Sequence, residues 1–282
     1  MITETVSVAV LPSRSVWWQV LFWTALMTVS WGWLVYRMPE LVESGFPTIA
    51  ARLMSFGLIA LGLWLGLEAA NLTPGQRRAT WLAVMVPVTL WAAVAWTAAI
   101  NGVFRTDFLP LPMLPAAIFL PLIVGLPLLL LSKRVGQVLD AMPESWLVAL
   151  QVYRILGVQW LAYWMRGLLP TIFALPAGTG DVLTGLFALQ AAIAVAAGTA
   201  QGRRAAIYWN IFGLADFAVA ITLGMIMSSS QPQLIVPYVP GVGVDAYPNV
   251  LTPAFVVPSS ILLHVLSIRQ LLRRGRAEAA PW

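Results

Sequence analysis

The chain has 282 residues, of which 60% are hydrophobic and only 10% charged, too few charges to coat a soluble protein of this size. It has no cysteine, which excludes disulfides, thiolate metal sites and cysteine nucleophiles. Its one histidine, His264, excludes a multi-histidine metal centre or a bis-histidine haem within one chain. No GxxxxGK[ST] phosphate loop occurs, and the composition assigns no cofactor. The formal net charge of +5 would suit nucleic acid. The basic residues, however, sit at the ends of apolar stretches, where membrane orientation accounts for them and no nucleic-acid partner is expected. Lys133 is the single lysine among 16 basic residues. Together with abundant Ala and Trp, this bias points to a bacterial cytoplasmic (inner) membrane protein.

Residues 1–14 form a polar-to-mixed leader without the basic start of a secretory signal. The first apolar run is therefore read as an uncleaved span. Eight spans are predicted, at 15–36, 53–71, 80–103, 113–132, 146–166, 181–200, 205–227 and 253–272, each near the ~20 residues that cross ~30 Å of hydrocarbon. Arg14, Arg77, Arg78, Lys133, Arg134, Arg203, Arg204, Arg269, Arg273, Arg274 and Arg276 fall on one side of this alternation. Arg37, Arg52, Arg105 and Arg166 fall on the other. The asymmetry places both termini in the cytoplasm. The expected organisation is an all-α polytopic helix bundle, one transmembrane domain over 15–273 with a cytoplasmic tail at 274–282. Gln76-Arg77-Arg78 and Gln201-Gly202-Arg203-Arg204 hint at a four-plus-four repeat, 15–134 and 146–273. Two connections, 167–180 and 228–252, are apolar yet rich in Pro and Gly. They are expected to re-enter the membrane or to lie as surface loops on helix ends.

Ionisable side chains within the membrane need partners, because an unpaired charge at its centre costs at least ~2.5–3.5 kcal/mol. At ~1.5 Å per residue, Arg154 lies about 12 Å deep, Asp216 about 16 Å and His264 about 13 Å. Glu68 falls at a similar depth, and Gln190 and Asn210 in the same half. Gln151, Arg154 and Gly157 share a face of the fifth span, and Asn210, Gly213 and Asp216 a face of the seventh. Arg154 with Asp216 is the expected ion pair, with His264 or Glu68 as third member. Such a layer suits ligand binding or proton movement. A buried pair also serves simply to fix helix register, and His264 serves equally as a satisfied core residue. Asp181, after Gly178-Thr179-Gly180, is expected to cap a helix at the outer surface by accepting from the N–H of Leu183 or Thr184. The sharper alternative is an intramembrane aspartyl peptidase using Asp181 and Asp216, since GxGD resembles the motif of those enzymes. The aspartates stand in the reverse chain order here, and the flanking residues of the motif are absent.

Gln151-Val152-Tyr153-Arg154, Leu169-Pro170, Leu175 to Asp181, Trp209-Asn210 with Gly213 and Asp216, and Pro258 to His264 together resemble a group of bacterial multi-span membrane proteins of unknown function. The resemblance covers the C-terminal half and implies no activity. The leading expectation is a small-molecule or ion carrier, or a membrane ligand sensor, built on Arg154, Asp216, His264, Glu68, Gln151, Gln190 and Asn210. Its partners would be membrane lipids and a small solute. A scaffold without chemistry of its own is the third reading.

Overall fold

The computed structural model describes residues 14–105, 113–226 and 246–279, and among them the chain is helical with no strand. The helices are α1 (Arg14–Arg37), α2 (Pro39–Glu43), α3 (Phe46–Ala69), α4 (Pro74–Ile100), α5 (Met113–Leu131) and α6 (Lys133–Ala141). A composite helix follows, made of α7 (Ser145–Leu150), a 3₁₀ stretch (Gln151–Gly157) and α8 (Val158–Met165). Then come α9 (Thr171–Leu186), α10 (Ala188–Ala196) and α11 (Ala200–Ile226), and a π turn (Thr252–Val256) that leads into α12 (Val257–Ala279). Six helical runs are long and apolar enough to cross a membrane: 46–69, 74–100, 113–131, 171–196, 200–226 and 252–276. Large apolar side chains cover their outer faces, with Leu131 at 81% and Ile123 at 69% exposure. Water would penalise such a surface and lipid would not.

Local sequence explains where the helices begin. Thr73 caps α4 reciprocally: its Oγ1 accepts from Gln76 N at 3.3 Å, and its own N–H donates to Gln76 Oε1 at 3.1 Å. Pro74 follows at the first helical position, where no N–H is needed. Ser132 Oγ accepts from Val135 N to start α6. The final carbonyls of α6 are satisfied from α12. Gln270 donates to Leu139 O and Met142 O, and Arg274 to Asp140 O and Met142 O. Arg274, expected only as an orientation signal, is thus also a helix cap.

The starts of α3 and α4 precede the expected spans by seven and six residues, and that of α9 by ten, the largest difference. Residues 171–180, expected as part of an outward loop, form the first ten residues of α9. Pro176, Gly178 and Gly180 lie inside that helix. The glycines mark contact faces here. A Cβ at Gly185 would strike the backbone of Arg154 and Ile155, so α9 lies directly against the 3₁₀ stretch. A Cβ at Gly180 would collide with the Asp216 carboxylate of α11. Close approach of this kind is what small residues permit between membrane helices. Trp209 Nε1 of α11 donates to Thr184 O at 3.1 Å and ties the same two helices together. Residues 246–250 form turns; the remainder of the expected 228–252 connection up to 245, and the leader 1–13, lie outside the described residues.

Candidate functional site

Arg154 sits where the 3₁₀ stretch, α9, α11 and α12 meet, with its side chain 1% exposed. Its Nε donates to Asp181 Oδ1 at 2.8 Å, and its Nη2 donates to Asp216 Oδ2. Nη1 faces the Gly213 carbonyl and His264 Nε2, each at 3.3 Å. The guanidinium carbon lies 3.9 Å from the centre of the Phe217 ring, close enough for a cation–π contact. An arginine N–H can only donate, so His264 Nε2 is the acceptor and the ring is neutral in this arrangement. Its Nδ1–H then donates to Asn210 Oδ1 at 2.8 Å. Asn210 Nδ2 donates in turn to Ala206 O and Ser267 Oγ. The chain of bonds from two aspartates to Ser267 holds Arg154 in one orientation.

Of the residues expected in the layer, Arg154, Asp216, His264 and Asn210 therefore stand in one bonded cluster. Three do not. Glu68 is exposed and accepts from Trp64 Nε1 at 2.9 Å on its own helix. Gln151 is buried, but its Nε2 donates to Ser260 O on α12 at 3.2 Å. Gln190 is buried with its amide between Leu186 and Leu21. Height in the membrane does not determine which way a side chain points. Asp181 requires the opposite correction. It is not an N-cap at the surface, because α9 begins ten residues earlier; ten residues at ~1.5 Å place it about 15 Å into the helix.

The cluster forms one wall of a cavity of about 70 Å³ between α3, the composite helix, α9, α11 and the start of α12. Other polar walls come from Arg52, Ser55, Tyr153, Gln159, Thr252 and Ser260. Arg52, expected as a loop charge, lies inside α3 at 7% exposure. Thr48, Arg52 and Ser55 are all buried on one face of that helix. Arg52 Nη2 donates to Thr252 Oγ1, and its Nε has no partner among the described residues. Gln159 is 1% exposed, and neither polar atom of its amide has a partner among the described residues. Tyr153 pairs with Ser260. The spacing of Arg52 with Thr48 and Ser55 was the sequence signal for this wall; Gln159, five residues beyond Arg154, carried none. Among the described residues no group of three or more His, Cys, Asp or Glu side chains is placed to hold a metal ion.

Asp181 and Asp216 approach each other through Arg154. An aspartyl peptidase dyad needs its two carboxylates in contact, sharing one proton. Here each carboxylate bonds to the Arg154 guanidinium.

Residues 111–272 match a domain of unknown function, DUF8737, and the chain belongs to that family. The matched stretch contains the whole Arg154 cluster and Gln159, and it leaves out Arg52. No curated protein and no solved structure matches the chain.

Proposed function

We propose that this protein is a multi-pass carrier or ligand-binding protein of a bacterial cytoplasmic membrane, with the Arg154 cluster and its cavity as the solute site. One observation carries the reading: a bonded charge cluster, deep among the helices, borders a cavity also lined by Gln159 and Arg52, which hold polar atoms with no partner among the described residues. Polar groups inside membrane bundles are costly and mark solute paths when they face a cavity. A purely structural ion pair has no need of the unpartnered Gln159 amide and Arg52 Nε at residues that line the same cavity. In this reading the chain crosses the membrane eight times with both ends inside. The six long apolar runs are joined by α1, 24 residues with Val29 and Trp33 exposed, and by the composite helix 145–165.

The test is uptake by purified protein in liposomes, offered a panel of organic acids, amines, amino acids and sugars, with liposome contents read by mass spectrometry. We expect saturable uptake of one solute class, lost in Asp216→Asn protein that remains monodisperse. Uptake no greater than in protein-free liposomes, or uptake unchanged by Asp216→Asn, defeats the proposal.

A further inference from the structure

The charges around the cavity are divided unevenly. Arg154 is bonded to two carboxylates, so with both acids ionised that trio carries one net negative charge. Arg52 forms no ion pair among the described residues and bonds only to the Thr252 hydroxyl, so it carries one net positive charge. Both line the same cavity. Each aspartate uses one oxygen on Arg154, and the other oxygen has no hydrogen-bond partner among the described residues. Asp181 keeps 19% of its side chain exposed, against 5% for Asp216. Gln159 lines the same cavity, and its amide N–H₂ and carbonyl have no partner among the described residues.

We propose that this cavity binds a small zwitterion of the amino-acid type, its carboxylate held by Arg52 and the Gln159 amide and its ammonium by the carboxylates of Asp181 and Asp216. The inference rests on the solute-site reading above and names the substrate class. Charge balance selects a zwitterion over a simple ion. The wall residues already sum to zero, and an anion or cation alone would leave a net charge buried among apolar helices. A ligand carrying both charges keeps the site neutral and pairs each net charge of the wall. Guanidinium with an amide is a fitting carboxylate clasp, because charge-assisted donors bind carboxylates most strongly. The cavity of about 70 Å³ exceeds the ~10–15 Å³ of free space that holds one water. That is the scale of a glycine-sized head group rather than of a large organic ligand.

The experiment is titration calorimetry on the detergent-solubilised full chain with glycine, β-alanine and 4-aminobutyrate, which differ only in charge separation. Acetate and methylammonium serve as half-ligands. One of the three zwitterions is expected to bind at least tenfold more tightly than either half-ligand. Gln159→Leu should weaken that binding about ten- to a hundredfold, the range for a hydrogen bond to a charged group, while the protein stays folded because the change removes an unpartnered amide. Arg52→Gln should abolish it. Binding of acetate or methylammonium as tight as that of any zwitterion, or an unaltered affinity in Gln159→Leu, overturns the inference. Uptake of another solute class in liposomes, with no zwitterion bound here, overturns this inference alone and leaves the carrier reading standing. Silence in both assays overturns both.

Discussion

Arg154 serves two carboxylates, so the cluster should respond very unevenly to losing one member or another. Asp181→Asn leaves Arg154 paired with Asp216, and the new amide oxygen still accepts from Nε. Its expected cost is that of weakening one charged hydrogen bond, about 1–2 kcal/mol. Asp216→Asn should cost somewhat more, about 2–3 kcal/mol, because Asp216 is the more buried acid. Arg154→Met is different in kind. It strands two carboxylates at once, and one stranded buried charge alone costs about 3–5 kcal/mol. Set against a total stability of ~5–15 kcal/mol, that should leave little folded protein. Combining Arg154→Met with Asp181→Asn and Asp216→Asn should restore much of the loss, as expected of groups acting as a unit. The measurement is the thermal midpoint and the monodisperse yield of each variant in one detergent. A mild Arg154→Met, no worse than Asp216→Asn, would refute the claim that one guanidinium neutralises both acids.

Other expectations concern packing and topology. Gly185→Leu should destabilise by at least ~1–3 kcal/mol, since its side chain meets the Arg154–Ile155 backbone; Gly57→Ala, with open space at its Cβ, should be neutral or stabilising by up to ~1 kcal/mol. Thermal unfolding in detergent separates the two. Asn210→Ala removes the acceptor of His264 Nδ1–H and should cost ~1–3 kcal/mol for a buried donor left unpaired, read as a lower unfolding midpoint. Because the chain has no native cysteine, single cysteines report sidedness directly. Ser44→Cys and Asn101→Cys should react with an impermeant maleimide added to intact cells, whereas Arg134→Cys and Gln201→Cys should react only after the membrane is opened. All four on the same side would end the eight-crossing topology.

Hydropathy made the helices legible, because the requirement to bridge hydrocarbon is written in length and composition alone. Residues 113–132 differ from the observed helical run 113–131 by one residue at one end, and 146–166 from 145–165 by one residue at each end. The start of α9 was not legible. Pro176, Gly178 and Gly180 read as loop punctuation under rules drawn from solvated chains, whereas here they lie in a helix that needs thin faces toward two neighbours. That single misreading moved Asp181 from the centre of the site to the surface. Arg52 was misplaced for a related reason: an arginine near a span end is normally a topology signal, and only the polar stripe that it forms with Thr48 and Ser55 on one face of the helix reveals otherwise. Glu68 shows the limit of depth arithmetic. The rise per residue gives height reliably, but the direction a side chain faces depends on neighbours that one sequence does not display.

The 3₁₀ stretch at 151–157 has a mechanical effect on everything downstream of it. Seven residues wound at three per turn advance ~14 Å and sweep ~840°, against ~10.5 Å and ~700° for an ordinary α-helix. The second half of the helix is thereby turned by roughly 140° relative to the register of its first half. This phase slip lets one continuous rod change companions midway: α7 leans on α10, while α8 lies against α1 and α9. The tighter winding also sets residues three apart in a straight file, so Gln151, Arg154 and Gly157 stand one above another, and the missing side chain of Gly157 leaves a bare notch for Asp181.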